Sequence, residues 1–337
     1  MQDKTLNWGI LSTANIGKKA VVPAIRASSN GALMAVASRD EARAREFARQ
    51  SQIPEALGDY QALLDHDAVH AVYNPLPNSL HKEWTIRAAE TGKHVLCEKP
   101  LGLGAGECRE MAAAAHANGV KLMEAFMYRF HPRTDRVLKM IRDGSIGEIQ
   151  QIRSSFTFPL DREEDIRWDA GLGGGSLMDV GCYCVNISRA LAGAEPVEVL
   201  AMANFRESGV DEQMAGSLRF ENGLLAHFDC ALTMERTQVY QVKGTEGQLR
   251  IMEAFVPESE VLDIEQFDLE NNLSRITVES DDQYRRMVEH FGDCILNDRP
   301  VALSPEDAAL NMAAIEALYE SARKNGTPVK VRTPSQA

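Results

Sequence analysis

Glu98-Lys99-Pro100 is the first segment whose side chains could do chemistry, and it follows the apolar run Val95-Leu96-Cys97. A continuous apolar run predicts a strand buried on both faces of a parallel sheet, and such sheets bind ligands at the carboxyl ends of their strands. Lys99 would then lie at a ligand site, where an ammonium group can stabilise a developing alkoxide. From this segment alone, an ion pair without chemical function is an equally good interpretation.

A glycine-rich stretch supplies the second candidate segment. Gly173-Gly174-Gly175 would let the backbone approach a ligand closely. A helix that begins at Ser176 would then place Asp179 and Tyr183, four residues apart, on one face. A buried Asp–Tyr pair is more often structural than catalytic, but the catalytic interpretation is favoured if a lysine and a redox cofactor lie beside it.

The elements before Lys99 alternate between strand and helix. A strand over residues 5–11 ends in Ser12-Thr13-Ala14-Asn15-Ile16-Gly17, which has the spacing of the dinucleotide fingerprint G-x-G-x-x-G with Ser12 and Ala14 in its first two glycine positions. An ordinary strand–helix turn explains this segment equally well. Further strands are predicted at 33–37, 69–73 and 121–125. The pattern predicts an α/β Rossmann domain, a doubly wound parallel sheet that binds a dinucleotide, over residues 1–125.

The end of the second strand indicates which dinucleotide is bound. Ser38 and Arg39 stand where an acidic residue would bind a free ribose 2′-hydroxyl, and Arg43 lies one turn into the next helix. Because guanidinium geometry suits phosphate, we predict NADP(H), with NAD(H) as a second cofactor that the sequence allows. The alternative is that Asp40 caps the helix and Arg39 is only solvated.

A rigid loop, Asn74-Pro75-Leu76-Pro77-Asn78, follows the third long strand and would face the nicotinamide. His81 opens the next helix, and a structural role is favoured there over a catalytic one. The predicted cofactor-binding residues are Ser12, Thr13, Ala14, Asn15, Ile16, Ser38, Arg39, Arg43, Asn74, Pro75, Leu76, Asn78, His81, Glu98, Lys99, Arg129, Arg167 and Trp168.

The pattern changes from Glu148 onward. Successive alternating segments without intervening helices predict a large, mostly antiparallel open sheet, so residues 126–337 are predicted to form an α+β domain for substrate binding and oligomerisation. Asn222-Gly223 joins two of the strands as a tight hairpin. The C-terminal helix could pack back on the first domain.

Composition excludes several classes of function. The net charge of −13 argues against nucleic acid and anionic membranes as partners, and no apolar run approaches the roughly 18 residues that a membrane helix needs. Residues 1–4 lack the pattern of a signal peptide, so a cytoplasmic enzyme is expected. The six scattered cysteines lack zinc-like spacing, so we expect reduced thiols and no metal.

Taken together, these motifs resemble the Gfo/Idh/MocA oxidoreductases over essentially the whole chain. The resemblance rests on the segments 12–17, 98–100, 124–132 and 173–183, in the order found in that family, and is greatest to the branch of NADP-dependent D-xylose dehydrogenases and dimeric dihydrodiol dehydrogenases. It implies that Lys99 is the catalytic lysine, that Asp179 is the aspartate of a D-x-G-x-x-[HY] segment and that Tyr183 is the acid/base. Tyrosine at this position argues against the inositol dehydrogenases, which carry histidine there. The family also implies a homodimer or homotetramer formed through the C-terminal sheet.

The implied reaction is hydride transfer between nicotinamide C4 and a sugar or polyol carbon. A nearby Lys99 would lower the pKa of Tyr183 from the tyrosine reference value of about 10. An NADP-dependent aldose 1-dehydrogenase, acting on a D-xylose-like sugar, is the first hypothesis. A ketosugar reductase and a trans-dihydrodiol dehydrogenase are alternatives, and a non-catalytic regulatory protein is the alternative from another class.

Overall fold

A computed structural model describes residues 5–332 of the chain. Its first part contains six strands that form one parallel sheet: β1 (Leu6–Leu11), β2 (Gly31–Ala37), β3 (Glu55–Leu57), β4 (Ala71–Asn74), β5 (His94–Cys97) and β6 (Leu122–Glu124). The helices of this part are α1 (Val22–Ala27), α2 (Glu41–Gln50), α3 (Tyr60–Leu64), α4 (His81–Glu90) and α5 (Ala105–Ala117). The strand order is β3-β2-β1-β4-β5-β6, and every pair is parallel. The predicted Rossmann sheet is confirmed.

The apolar runs of these strands explain why the sheet lies in the interior. Val95, Leu96 and Cys97 of β5 are at most 1% exposed, as expected of a strand covered on both faces. The helix after β1 begins with a π-helical turn at Gly17–Val21 and continues as α1, whose first turn contains Pro23. Proline is tolerated there because the first-turn N–H groups have no acceptor within the helix.

A second sheet has nine strands. They are β7 (Ile149–Pro159), β8 (Pro196–Phe205), β9 (Asp211–Phe220), β10 (Leu225–Ala231), β11 (Thr233–Gly244), β12 (Gly247–Met252), β13 (Val261–Phe267), β14 (Leu273–Glu279) and β15 (Val329–Lys330), and their order in the sheet is β14-β13-β12-β11-β7-β10-β9-β8-β15. Among the pairings of this second sheet in residues 5–332, only β7–β10 is parallel. The predicted mostly antiparallel sheet is confirmed, including the hairpin at Gly223, whose φ of 87° requires a left-handed backbone.

Four further helices are α6 (Pro132–Arg142), α7 (Cys182–Ala192), α8 (Gln283–Leu296) and α9 (Pro305–Arg323). The regular helix predicted from Ser176 onward is corrected. A π-helical turn spans Leu177–Gly181, and the α-helix begins only at Cys182. The apolar residues Leu177, Val180 and Val185 are buried.

Contacts divide the chain into two compact units. One lies within Met1–Phe130 and Asp282–Ala309, and the other within His131–Asp281 and Leu310–Ala337. The first unit includes α8, whose Phe291 packs against Trp8 of β1 with a centroid distance of 5.7 Å. The domain boundary predicted after residue 125 assigned α8 to the second domain. That division into two domains stays a prediction.

Residues 5–332 lack two features that are typical of other classes of protein. No helix in this range is long and apolar enough to cross a bilayer. Within the same range, no group of three or more His, Cys, Asp or Glu side chains is placed so that it could hold a metal ion. The six cysteines, all within the described residues, are buried, and none of them forms a disulfide. Residues 1–4, on which the signal-peptide argument rested, lie outside the described residues.

Candidate active site

The carboxyl ends of the first sheet bring most of the predicted cofactor residues to one edge. Residues 12–16 follow β1, Ser38 and Arg39 follow β2, Asn74 ends β4, and Glu98 and Lys99 follow β5. β1 lies between β2 and β4, so the order of strands reverses beside it. A crevice at such a reversal is where open α/β sheets bind nucleotides.

Ser12 forms the turn at the end of β1. Its φ of 80° lies in the left-handed region, its N–H donates to the Ala37 carbonyl at 2.9 Å, and its Oγ accepts from Ala14 N at 3.2 Å. The helix that follows starts after Ile16 without a side-chain cap. A tight turn leading into an uncapped helix start is the geometry that holds a pyrophosphate, so these residues fit a dinucleotide despite the missing glycines.

The end of β2 carries the positive charge. Asp40 caps α2 by accepting from Arg43 N at 3.2 Å, as the alternative interpretation held, and both Arg39 and Arg43 are exposed. The Ser38 side chain accepts from Asp40 N at 3.2 Å. Two exposed guanidinium groups beside a serine hydroxyl are a donor set that fits a ribose 2′-phosphate.

The loop after β4 is fixed from inside. The Asn74 side chain, fully buried, donates to Thr85 Oγ1 at 3.2 Å and accepts from Leu76 N at 3.3 Å. His81 is also fully buried, with Nε2 2.8 Å from the Leu76 carbonyl and Nδ1 2.9 Å from the Pro100 carbonyl. Through these contacts His81 joins the loop after β4 to the segment after β5. Pro75 is buried, and Asn78 begins a short 3-10 turn.

Burial should make His81 a pH-sensitive element of stability. Desolvation lowers its pKa from 6.5 to about 4; Lys99 adds to this, and the two carbonyls oppose it. The unfolded chain therefore binds a proton between pH 6.5 and 4 that the folded chain does not. The contribution of neutral His81 to the free energy of unfolding is fully present above pH 6.5 and falls by about 3 kcal/mol as the pH drops through 4.

We expect urea unfolding to show this loss of stability between pH 7 and pH 4.5. In His81→Gln the free energy of unfolding should fall less steeply with decreasing pH. His116→Gln is the control, because that side chain is 73% exposed. Equal slopes in the wild type and His81→Gln would contradict the assignment. His94, whose pKa burial also lowers to about 4, should contribute to the same pH range.

Glu98 and Lys99 occupy a segment that buried polar groups hold in place. The Tyr73 hydroxyl donates to Glu98 Oε1 at 2.5 Å, and burial followed by the Glu98 charge raises the pKa of Tyr73. Lys99 is half-buried, and its bond to the following proline is cis. Glu124 Oε1 accepts from Leu101 N at 2.8 Å.

Sequence reasoning missed Glu124. The side chain is 1% exposed at the end of β6, which otherwise consists of apolar residues. A single carboxylate within an apolar run is the signal that could have found it, because a buried charge needs hydrogen-bond partners. Arg129, a predicted cofactor contact, lies in the 3-10 turn Met127–Phe130 that follows this strand.

The second unit holds the glycine-rich stretch, and here the structure shows a further reason for two of the glycines; the predicted approach to a ligand stays a prediction. A Cβ at Gly174 would lie 2.3 Å from the Arg167 carbonyl oxygen, and one at Gly175, whose φ is 114°, would lie 2.2 Å from Asp211 Oδ1. Within this unit, the close approach is therefore to the chain's own backbone and to Asp211. The stretch can fold this tightly because glycine has no side chain, and a Cβ at either position would clash.

Asp211 anchors the start of the helix that carries the candidate catalytic side chains. Fully buried, it accepts from Ser176 Oγ at 2.6 Å, Leu177 N at 2.7 Å and the Tyr319 hydroxyl at 2.7 Å. Burial raises the pKa of Asp211, and the three donors oppose that rise. Sequence reasoning missed this residue as well, since its partners are 35, 34 and 108 residues away.

Asp179 forms an ion pair with Arg167. The Arg167 Nε–Asp179 Oδ2 distance is 2.6 Å, and Arg167 Nη1 also lies 3.1 Å from Asp165 Oδ1. The negative charge of Asp179 raises the pKa of Arg167, and burial of the guanidinium opposes that rise. Trp168 is buried, and the Arg206 guanidinium lies 4.2 Å from the centroid of its ring.

The Tyr183 ring is held in an aromatic cluster. It is 4% exposed, and its centroid lies 5.3 Å from that of Phe156 and 5.4 Å from that of Phe255. Phe156 and Phe255 stack at 5.1 Å, and Tyr240 lies 6.3 Å from Phe255. These contacts fix the plane of the ring and so the direction of its hydroxyl. That Lys99, Asp179 and Tyr183 are the catalytic residues stays a prediction.

A parallel sheet in the 3-2-1-4-5-6 order, with a fitting dinucleotide turn beside its central strand, defines a nucleotide-binding oxidoreductase fold. Residues 6–126 match the model of an oxidoreductase family with an NAD-binding Rossmann fold, and residues 134–250 match a GFO/IDH/MocA C-terminal domain. The chain belongs to the GFO/IDH/MocA oxidoreductase family. The predicted family and class of enzyme are confirmed.

The chain is also similar to individual proteins, in sequence to two enzymes and in structure to a third. The chain is 40% identical over 316 residues to D-xylose 1-dehydrogenase (NADP(+)) 2 of Haloferax volcanii, covering 94% of this chain and 97% of that one. It is 35% identical over 257 residues to mouse (Mus musculus) trans-1,2-dihydrobenzene-1,2-diol dehydrogenase, covering 75% and 76%. A 3-ketoreductase from Actinomadura kijaniata, solved with NADP and TDP-benzene, is similar with a TM-score of 0.89 and 30% identity over 94% of this chain and 98% of that one.

Proposed function

We propose that the protein is an NADP-dependent aldose 1-dehydrogenase that acts on a D-xylose-like sugar. The observation that carries the proposal is the 40% identity to a D-xylose 1-dehydrogenase over nearly the whole of both chains. Arg39, which follows β2, and Arg43, in the first turn of α2, support NADP(H), because they supply guanidinium groups where a 2′-phosphate would lie. The dinucleotide would supply a hydride acceptor at C4 of its nicotinamide ring.

Tyr183 is proposed as the acid/base that accepts the proton of the sugar C1 hydroxyl during oxidation. Its burial among aromatic rings supports this role, since a fixed ring holds the hydroxyl in one direction. The Lys99 ammonium is proposed to stabilise the alkoxide character that develops on the substrate oxygen. The segment that carries Lys99 is restrained by His81 and Glu124, which supports such positioning.

Asp179 is proposed to accept a hydrogen bond from a sugar hydroxyl. Arg167 supports this role, because its Nε lies 2.6 Å from Asp179 Oδ2 and so fixes the orientation of the carboxylate. Assembly as a homo-oligomer through the nine-stranded sheet and a cytoplasmic location stay predictions.

Two other reactions have support from the comparisons. A ketosugar reductase is favoured by the similarity to the Actinomadura kijaniata enzyme, and a trans-dihydrodiol dehydrogenase by the similarity to the mouse enzyme. Both would use the same acid/base residue. The ketosugar reductase differs from the proposed enzyme in substrate and in direction, and the dihydrodiol dehydrogenase differs in substrate. A regulatory protein that binds the nucleotide without turnover is the alternative from another class.

The test is absorbance at the reduced-nicotinamide band with NADP or NAD and, in turn, D-xylose, D-glucose, myo-inositol and a trans-dihydrodiol. We expect reduction of NADP with D-xylose and with related aldoses. Turnover with the dihydrodiol alone would replace the proposal with the third reaction. Tight NADPH binding without turnover of any of these compounds would contradict the aldose assignment and favour the ketoreductase or regulatory alternatives.

A further inference from the structure

Asp165 is a buried acid in an exposed segment of the second unit. The segment lies between β7 and the glycine-rich stretch, and the Asp165 side chain is 6% exposed although its neighbours Glu164 and Ile166 are exposed. A buried carboxylate needs hydrogen-bond donors, because a buried charge without a partner is costly. The donors to Asp165 therefore indicate what this segment holds in place.

Two arginine side chains and one backbone N–H meet the Asp165 carboxylate. Its Oδ1 accepts from Arg167 N at 3.1 Å, which caps the 3-10 turn Ile166–Trp168, and also accepts from Arg167 Nη1 at 3.1 Å. Its Oδ2 lies 2.8 Å from Nη2 of Arg162, whose side chain is 70% exposed. Asp165 thus holds Arg167 both at its backbone and at its guanidinium group.

The Arg167 guanidinium lies between two carboxylates. Its Nε donates to Asp179 Oδ2 at 2.6 Å, and its Nη1 donates to Asp165 Oδ1 at 3.1 Å. The five N–H donors of arginine point outward in one rigid plane, so acceptors at two different edges restrain the orientation of that plane. Asp165 therefore determines how the guanidinium meets Asp179.

Gly175 joins Arg167 and Asp179 through the backbone. Its N–H donates to the Arg167 carbonyl at 2.9 Å, and its carbonyl accepts from Asp179 N at 3.0 Å. These two hydrogen bonds and the ion pair between the side chains form a closed ring of contacts. Because the backbone on both sides of the ion pair is held, the direction of the Asp179 carboxylate depends on the guanidinium that meets it.

We propose that Asp165 is a positioning residue for substrate binding, which orients the Arg167 guanidinium and through it the Asp179 carboxylate towards a hydroxyl of the sugar. The inference rests on the proposed function, in which Asp179 accepts a hydrogen bond from that hydroxyl. A carboxylate that is oriented in advance loses less side-chain entropy when the sugar binds. Because the contact is present in the ground state and in the transition state alike, its loss should weaken substrate binding and leave the chemical step almost unchanged.

Asp165→Asn removes the charge and keeps a side-chain oxygen that can accept from Arg167 N. With the best substrate among the four compounds tested for turnover, we expect KM to rise about 3- to 10-fold, while kcat and the Kd for NADPH each change by less than about twofold. Steady-state kinetics and NADPH titration of the purified full-length protein measure these quantities.

Asp169→Asn is the matched control, because it makes the same change of charge in the same segment. Asp169 caps the next 3-10 turn, Ala170–Leu172, by accepting from Gly171 N at 2.7 Å. This variant should keep the wild-type KM. An equal rise in KM in the two variants would show that the fold of the segment is the cause, and the inference would be overturned.

A double-mutant cycle separates positioning from a structural role. In an Arg167→Met background, Asp165→Asn should no longer change KM, because there is no guanidinium to orient. If the methionine variant does not fold, Arg167→Lys is the background and the same result is expected, since lysine keeps the charge but lacks the planar fork that meets two carboxylates. Thermal unfolding of every variant monitors the fold.

The remaining outcomes separate the inference from the proposed function. An unchanged KM in Asp165→Asn, or an effect that persists without the Arg167 guanidinium, would overturn the inference alone. So would a rise in the Kd for NADPH as large as that in KM, which would place Arg167 on the cofactor. Absence of turnover by the wild type would overturn the proposed function and the inference with it. Turnover with the trans-dihydrodiol alone would overturn the aldose assignment, and the KM for the diol would then decide the inference.

Discussion

Replacing Lys99 with methionine is expected to lower kcat by about 10³-fold while the Kd for NADPH changes by less than about threefold. Methionine has a similar length and no charge, so it removes the ammonium proposed to stabilise the developing alkoxide, a contribution of about 3–4 kcal/mol. The loss should appear in kcat, because the interaction is strongest in the transition state. Steady-state kinetics with the best aldose and NADPH titration measure the two quantities.

Lys82→Met is the matched control for this variant. Lys82 is in α4 of the same unit, its side chain is 35% exposed, and it pairs with Glu110 at 3.1 Å. We expect its kcat to stay within about twofold of the wild type, since surface ion pairs contribute little to stability. A Lys99→Met variant that keeps more than about a tenth of the wild-type kcat would remove Lys99 from the chemistry.

Replacing Tyr183 with phenylalanine is expected to lower kcat by about 10²- to 10³-fold, because a positioned acid/base contributes a factor of about 10²–10⁴. The fold should be retained, since phenylalanine keeps the ring that contacts Phe156 and Phe255. Steady-state kinetics, thermal unfolding and NADPH titration together would show a chemical loss without a structural one.

Tyr240→Phe controls for loss of a hydroxyl in the same cluster. Tyr240 is 1% exposed and lies 6.3 Å from Phe255, and no catalytic role is proposed for it. We expect kcat to stay near the wild-type value in this variant. Equal losses in the two variants would show that the cluster acts through packing, and the acid/base assignment of Tyr183 would fail.

The sequence predicts the architecture well where the pattern is local. Continuous apolar runs such as Val95–Cys97 indicate buried parallel strands, and alternation from residue 149 onward indicates the second sheet, as the structure confirms. The π-helical turn at Leu177–Gly181 could not be predicted in this way. Over five residues, the side-chain periods of an α-helix and a π-helix are too similar to be told apart.

The candidate site is predicted less completely, because its supports are long-range. Lys99, Asp179 and Tyr183 stand in recognisable segments, whereas Asp211 and Glu124 act through partners far along the chain. The ion pair between Asp179 and Arg167 was not predicted either, although both residues were named as candidate site residues. Side-chain pairing between segments depends on tertiary structure, and no periodicity encodes it.

The grouping of α8 with the Rossmann sheet has a consequence for synthesis on the ribosome. Trp8 and Phe291 are both fully buried and pack against each other, yet residues 131–281, which form most of the second unit, lie between them in the chain. At roughly 5–20 residues per second, the ribosome needs on the order of ten seconds or more to make that intervening stretch. The aromatic face of Trp8 therefore stays without its native partner for that time, so the first unit cannot complete its native packing until α8 has been synthesised.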